Sequence, residues 1–131
     1  MKSYFTWREF DKSIEHIANK CRFKEVSGIY GVPRGGLCLA VALSHKLKIN
    51  LIKEPKKNSL IVDDVYETGI TLNTLKDIEG AMFFVLFSKI KPTWWNTVFI
   101  SEKSEWIVFT WENTVNFQRD RNDYIKKRGL S

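Results

Sequence analysis

Two adjacent carboxylates, Asp63 and Asp64, follow a short apolar run and precede a turn that contains two threonines. The run, residues 60–62, is typical of a strand that is buried on both faces in a parallel sheet. Acids at the carboxyl end of such a strand stand where open α/β sheets bind their ligands. They could hold the hydroxyls of a sugar ring or the oxygens around a Mg²⁺ ion.

The turn after these acids has the composition of a phosphate-binding loop and leads into a predicted helix. It consists of Glu67, Thr68, Gly69, Ile70 and Thr71. Its backbone N–H groups can converge on a phosphate at the helix N-terminus, and the threonine hydroxyls add donors. Paired acids one turn away from a phosphate cradle indicate a site for a sugar phosphate.

A second loop, Arg34-Gly35-Gly36, follows the predicted first core strand and precedes another helix. Its glycines allow the backbone to approach a ligand closely. Each motif alone is ambiguous, because paired acids often only end a strand and glycines commonly mark turns. The two motifs together, in this order and each at a strand-to-helix junction, favour a functional site.

These two segments resemble known motifs. Residues 60–72 resemble the phosphoribosyl-diphosphate (PRPP) motif of the type I phosphoribosyltransferases. Residues 28–37 resemble the pyrophosphate loop of the purine-salvage members of that family. The resemblance implies an enzyme that displaces pyrophosphate from C1 of ribose 5-phosphate with a ring nitrogen of a base. It also implies PRPP and a purine base as small-molecule partners and Mg²⁺ as cofactor, with Asp64 as the metal ligand.

The resemblance assigns roles to the individual residues. Asp63 and Asp64 would approach the ribose hydroxyls and the metal, and Glu67 would contact or protonate N7 of the base, which makes these three the predicted catalytic residues. Glu67 could instead only complement a helix dipole. The predicted PRPP-binding set combines the acids with both loops: Arg34, Gly35, Gly36, Asp63, Asp64, Glu67, Thr68, Gly69, Ile70 and Thr71.

The base-binding residues are predicted further along the chain. Residues 87–89 resemble the segment in which 6-oxopurine enzymes place a lysine, and residues 106–112 resemble the C-terminal stretch of bacterial xanthine–guanine phosphoribosyltransferases, with Thr110 in place of the usual proline. Lys89 would donate to the exocyclic oxygen, and Trp106 would stack on the purine beside Ile107. A core tryptophan and a solvated lysine are the alternatives.

The alternation of strands and helices predicts a Rossmann-like α/β fold with a mainly parallel sheet flanked by helices. Residues 1–112 are predicted to form the phosphoribosyltransferase domain, and residues 113–131 a polar C-terminal tail that is no separate domain. The five-residue link 54–58 replaces the long mobile loop of the family and predicts an antiparallel edge hairpin formed by residues 50–53 and 59–62. Either Lys56 and Lys57 compensate for the short loop, another subunit covers the site, or the protein binds without fast turnover.

Composition restricts the remaining possibilities. No apolar run approaches the ~20 residues of a membrane span, and the N-terminus has no signal-peptide core, so a cytoplasmic protein is predicted. The net charge of +6 suits a polyanionic substrate. A rival interpretation is a nucleic-acid surface formed by Lys53, Lys56 and Lys57 with the tail segment Lys126-Lys127-Arg128, which requires salt-dependent binding. Five Trp and nine Phe leave room for an apolar interface, and we expect a homodimer.

The leading prediction is therefore a purine phosphoribosyltransferase that forms a nucleoside 5′-monophosphate from PRPP and guanine, xanthine or hypoxanthine. The alternative is a non-catalytic regulatory protein that binds PRPP or a nucleotide on the same fold.

Overall fold

The computed structural model describes residues 2–111, so the predicted C-terminal tail and Glu112 lie outside the described residues. Strands and helices alternate through most of this range. In chain order the elements are β1 (Lys2–Tyr4), α1 (Trp7–Cys21), β2 (Ile29–Gly31), α2 (Leu37–Leu47), β3 (Leu60–Tyr66), α3 (Ile70–Asn73), β4 (Met82–Ser88), β5 (Asn96–Ile100) and β6 (Trp106–Val108).

The main sheet has four parallel strands in the order β2-β3-β4-β5. Its central strand β3 is buried along its whole length, as expected for a strand with parallel neighbours and covered faces. Side chains of β3 alternate between two apolar clusters: Leu60 and Val62 pack with α1 and α2, whereas Ile61 packs with Leu72 on the opposite face. The predicted parallel α/β fold is confirmed.

Helix α1 begins where the capping-box sequence Thr6-Trp7-Arg8-Glu9 predicts. The hydroxyl of Thr6 accepts a hydrogen bond from the backbone N–H of Glu9 at 3.1 Å, and the Thr6 N–H donates to the Glu9 carboxylate at 3.1 Å. This reciprocal capping box satisfies two N–H groups that the helix itself leaves without acceptors. The helix then directs one apolar face at the sheet and α2.

The predicted antiparallel edge hairpin is wrong. Residues 50–53 form no strand, and Leu51 makes a single parallel bridge to Ile29. Both edges of β3 are already occupied, by β2 on one side and β4 on the other. The chain after α2 therefore runs along the outer edge of β2, and the Ile29 N–H donates to the Asn50 carbonyl at 2.9 Å.

Two other elements differ from prediction. Strand β1 was not predicted; it pairs in parallel with β6 in a separate two-stranded sheet. The helix expected over residues 71–78 ends at Asn73, because the Thr74 hydroxyl and the Thr74 N–H both donate to the Thr71 carbonyl, at 2.6 and 3.2 Å. This contact pulls the backbone into i→i+3 turns. Within residues 2–111, no helix is long and apolar enough to cross a membrane.

Candidate active site

The predicted strand 60–62 extends to Tyr66, so the paired acids lie within β3 and not after it. They lie directly beyond the point at which β2 ends, opposite Val62, and both are buried. Asp63 is 0% exposed and Asp64 5% exposed. Their carboxylates are held by the backbone: the Asp64 N–H donates to Asp63 Oδ1 at 2.8 Å, and the Val65 N–H donates to Asp64 Oδ1 at 2.7 Å. Buried charges need such partners, because desolvation without hydrogen bonds is costly. The acids are thus fixed in place before any ligand arrives.

The Arg34-Gly35-Gly36 loop lies directly against these acids. The Val32 N–H donates to the Val62 carbonyl at 2.9 Å, and the Gly36 N–H donates to the Val32 carbonyl at 2.8 Å, which ties the loop to β3. A Cβ at Gly35 would lie only 2.2 Å from Asp64 Oδ2. The peptide bond between Pro33 and Arg34 is cis. The structure therefore brings together the two motifs that the sequence predicts as one site.

The phosphate turn follows β3 on the other side of the acids. Gly69 has a φ of 75° and begins α3, a conformation that favours glycine. The Thr68 hydroxyl accepts a hydrogen bond from the Ile70 N–H at 3.4 Å. Thr68 and Ile70 are exposed and Thr71 is half-buried, so the outer face of the turn is open to a ligand.

Tyr66 supports this turn from below, a role that sequence reasoning missed. Its ring stacks on Trp95 with the ring centroids 3.7 Å apart, and a Cβ at Gly69 would lie 2.1 Å from its hydroxyl. Burial raises the pKa of the Tyr66 phenol, and a hydrogen bond with the Asn73 side chain opposes that rise. The signal available in the sequence was an aromatic residue immediately before the turn and an amide at the end of its helix.

Lys89 and Glu67 face each other across the ends of β4 and β3. Lys89 Nζ lies 3.5 Å from Glu67 Oε1, and the two side chains are only 6% and 11% exposed. The Lys89 ammonium also donates to the backbone carbonyl of Lys103 at 3.3 Å and to that of Glu105. Lys89 is therefore not a solvated lysine, and the Glu67 carboxylate does more than complement a helix terminus.

Trp106, the residue predicted to stack on the purine, follows the segment whose carbonyls bind Lys89. Trp106 follows Glu105 directly and is half-buried at the start of β6, so it adjoins the carbonyl that binds Lys89. Its neighbour Ile107 is 4% exposed and belongs to the main apolar core. The Trp106 backbone thus directly follows a carbonyl that binds Lys89, whereas the Ile107 side chain packs inward.

Comparison with known proteins gives one decisive match. No protein-family model matches this chain, and no curated protein matches it. Among solved structures, the purine phosphoribosyltransferase of Pyrococcus horikoshii is 32% identical, with a TM-score of 0.72 over 86% of this chain and 94% of that chain. The chain belongs to the type I phosphoribosyltransferases.

More distant structures match this phosphoribosyltransferase in fold alone. A Neisseria gonorrhoeae protein with bound ppGpp is 16% identical, with a TM-score of 0.70 over 92% of this chain and 94% of that chain. The xanthine–guanine–hypoxanthine phosphoribosyltransferase of Helicobacter pylori is 19% identical, with a TM-score of 0.63 over 92% of this chain and 99% of that chain. The architecture thus persists where little of the sequence does.

The donor set of this phosphoribosyltransferase fits one mode of Mg²⁺ binding. Within the described part of the chain, no three His, Cys, Asp or Glu side chains cluster closely enough to hold a metal by themselves. Mg²⁺ commonly binds one or two carboxylates together with water and substrate oxygens. Asp63 and Asp64 supply carboxylates for that mode, and Asp64 is the one that retains some exposure.

The short link of this phosphoribosyltransferase does not approach the acids. The Ser27 N–H donates to the Asn58 carbonyl at 2.9 Å, and the Ser27 hydroxyl donates to the Lys57 carbonyl at 2.7 Å. These contacts lie at the amino end of the sheet, and five residues of extended chain, roughly 16 Å, separate Asn58 from Asp63. The Lys57 ammonium instead lies 3.5 Å from Glu79, so Lys57 does not replace the missing loop.

Proposed function

We propose that this phosphoribosyltransferase forms a nucleoside 5′-monophosphate and pyrophosphate from PRPP and a 6-oxopurine: guanine, xanthine or hypoxanthine. The observation that supports the choice of base is the buried ammonium of Lys89 beside the PRPP motif. An ammonium only donates hydrogen bonds, so it suits an exocyclic oxygen and disfavours an exocyclic amine. The Pyrococcus relative is a purine phosphoribosyltransferase, which is consistent with a purine base.

The two loops bind the two phosphate ends of PRPP in this proposal. The turn from Glu67 to Thr71 holds the 5-phosphate through backbone N–H groups and threonine hydroxyls. The Arg34-Gly35-Gly36 loop offers its N–H groups to pyrophosphate, and the exposed Arg34 side chain adds positive charge. Because the loop lies against Asp64, both ends of the substrate are positioned relative to the ribose.

The reaction is a displacement at C1 of the ribose. The attacking ring nitrogen supplies the electron pair of the new C–N bond, and the pair of the broken C–O bond leaves with pyrophosphate. Positive charge develops on the sugar ring, where the fixed carboxylates of Asp63 and Asp64 stabilise it without reorganisation. Glu67 contacts N7 of the base and accepts the proton that the base loses as the new bond forms. Trp106 stacks on the ring with Ile107 behind it.

Mg²⁺ fits this site as a group that Asp64 would hold together with substrate oxygens. When bound, it supplies charge neutralisation at the pyrophosphate oxygens. The chain's own contribution is the rigid placement of the acids by the Asp64 and Val65 N–H groups.

The test is an end-point assay with PRPP and Mg²⁺ against guanine, hypoxanthine, xanthine, adenine, uracil and orotate. We expect nucleotide from at least one 6-oxopurine. The Asp63→Asn, Asp64→Asn double variant should lose at least about 10³-fold in turnover, since each electrostatic group of this kind contributes roughly 10²–10³-fold. Asp11→Asn, an exposed acid on α1, is the matched control. Full turnover by the double variant, or product from adenine alone, would overturn the proposal.

A non-catalytic regulatory protein is the second candidate, and the short link 54–58 favours it. Lids that close over a substrate exclude water and complete many active sites, and this link is anchored at Ser27, away from the acids. The Neisseria structure, which shares the fold, carries bound ppGpp. This candidate predicts binding of PRPP or a guanine nucleotide without product from any base, so detectable turnover would remove it.

A homodimer is also proposed. Three apolar side chains beside the pyrophosphate loop, Leu37, Val41 and Leu51, are 44–48% exposed. They line a groove of about 410 Å³ together with Tyr30 and Pro33. An apolar surface of this kind is consistent with contact between subunits, and sedimentation at several concentrations would detect the dimer.

A further inference from the structure

The ammonium of Lys89 is held by three oxygen atoms. Two are backbone carbonyls, of Lys103 and Glu105, and the third is Glu67 Oε1. An ammonium carries three N–H donors, so these oxygens match its full donor set. Because Lys89 is only 6% exposed, water contributes little to its solvation. In the ligand-free protein the residue predicted to recognise the base is thus fully occupied by the protein itself.

The three contacts are not equally replaceable. The two carbonyls belong to one turn, which the Glu105 N–H closes by donating to the Glu102 carbonyl at 3.1 Å. They cannot leave Lys89 unless the turn unfolds. Glu67 is a side chain that can rotate, and its 3.5 Å contact is longer than the ordinary 2.7–3.2 Å hydrogen bond. The third position is therefore the one that a ligand can take over.

A buried ammonium also needs an acceptor at that position throughout the reaction. Removing one member of a buried ion pair is strongly destabilising, because it leaves an uncompensated charge. The exocyclic oxygen of a 6-oxopurine is an acceptor and satisfies this requirement. The amine of a 6-aminopurine is a donor and does not.

We propose that Glu67 and the exocyclic oxygen of the base exchange places on the third donor of Lys89. This inference rests on the function proposed above. In the empty site Glu67 pairs with Lys89; a 6-oxopurine takes over that donor and releases the Glu67 carboxylate towards N7. A 6-aminopurine cannot release it, so the pair persists and N7 lacks its partner. Glu67 is then a specificity-determining residue as well as a contact to the base.

The exchange makes a prediction that a simple contact role does not. If Glu67 competes for Lys89, removing its charge strengthens binding of a 6-oxopurine nucleotide. It weakens binding of a 6-aminopurine nucleotide, whose presence leaves the third donor of Lys89 with only a neutral amide oxygen. If Glu67 only contacts N7, the substitution changes the affinity for both nucleotides alike, since both have that nitrogen. The ratio of the two dissociation constants separates the models.

The experiment measures binding of guanosine and adenosine 5′-monophosphates by calorimetry, which requires no turnover. For Glu67→Gln we expect the ratio of the adenosine to the guanosine nucleotide Kd to rise by at least about tenfold, the equivalent of one hydrogen bond to a charged group. Glu67→Asp keeps the charge but withdraws the carboxylate by about 1.5 Å, one carbon–carbon bond, and should raise the ratio less. If Glu67→Gln fails to fold, this second variant carries the test.

Glu79→Gln is the matched control. It removes a Lys57–Glu79 pair with the same 3.5 Å separation but with side chains 64% and 79% exposed, and it should change neither Kd. An unchanged ratio of the two dissociation constants, whether both rise, fall or stay the same, would overturn the exchange. The proposed function is kept in that case if the wild-type enzyme makes nucleotide from 6-oxopurines. A wild-type protein that binds neither nucleotide overturns both.

Discussion

The two loops that flank the paired acids are held in different ways. The loop after β2 is fixed by backbone against backbone: the Val62 carbonyl accepts from Val32, and a Cβ at Gly36 would lie 2.4 Å from that same carbonyl. The turn after β3 is supported by side chains, because the Tyr66 hydroxyl fills the space beneath Gly69. A strand backbone cannot move away from an added methyl group without loss of strand pairing, whereas a contacting side chain can be shortened by mutation. At Gly36 the first loop should therefore tolerate no added atom, whereas at Gly69 the second should be open to compensation.

Gly36→Ala tests the rigid loop and should have the largest effect on stability. The new methyl would lie 2.4 Å from the Val62 carbonyl and 2.8 Å from the Val32 nitrogen, and neither atom can move without disrupting the pairing of β2 with β3. We expect a loss of about 2–3 kcal/mol in the free energy of unfolding, the upper end for overpacking, together with loss of turnover. Urea unfolding measures it, and an unchanged midpoint would mean that the loop can yield.

Gly69→Ala tests the second loop and should cost about 1–2 kcal/mol, because a side chain at a φ of 75° is strained. The Tyr66 hydroxyl adds to this cost, since it would lie 2.1 Å from the new methyl. In a double variant with Tyr66→Phe, we expect recovery of about 0.5 kcal/mol or more relative to additivity. Strict additivity in a double-mutant cycle would contradict the distinction between the two loops.

Gly35→Ala should lower turnover strongly while it lowers the free energy of unfolding only slightly. Its methyl would meet a side chain, the Asp64 carboxylate at 2.2 Å, rather than a strand backbone. The carboxylate can move at a stability cost of about 1 kcal/mol, but misplacement by about 1 Å can lower turnover roughly 10²-fold. Parallel unfolding and steady-state measurements check this. If turnover falls only in proportion to the fraction of unfolded protein, the position of Asp64 is not critical.

Thr68→Val should have the smallest effect. The hydroxyl is exposed, and the hydrogen bond that it accepts from the Ile70 N–H is long, at 3.4 Å. Stability should change by less than about 0.5 kcal/mol, as for other surface substitutions. If the hydroxyl donates to the 5-phosphate, the KM for PRPP should rise while kcat stays nearly constant. An unchanged KM would remove Thr68 from the binding site.

Much of the fold is readable from local sequence. The sequence predicts helices over residues 7–21 and 37–47, and these are the observed bounds of α1 and α2. The prediction succeeds because a capping box and apolar periodicity are properties of neighbouring residues. The hairpin prediction failed because an apolar segment such as residues 50–53 does not encode which strand edge it joins. Strand β1 was missed because its three residues have no pattern of their own and are paired with β6, about a hundred residues later.

The features of the site likewise divide into those that local sequence predicts and those that only the fold reveals. The acids and both loops were predicted because their residue types carry the chemistry, and the structure places the loops next to the acids of β3. Sequence reasoning placed Lys89 and Glu67 at the base separately, but it could not show that they contact each other. It also could not find the carbonyls of Lys103 and Glu105, since every residue has a carbonyl and only the fold selects two of them.

The anchoring of the link between α2 and β3 has a kinetic consequence. A five-residue segment bound to Ser27 at the amino end of the sheet cannot travel across the catalytic face, so this link does not act as a lid over bound substrate. Product release therefore does not require this link to move. The turnover rate of this chain should depend only weakly on solvent viscosity, unlike that of an enzyme whose lid motion is limiting.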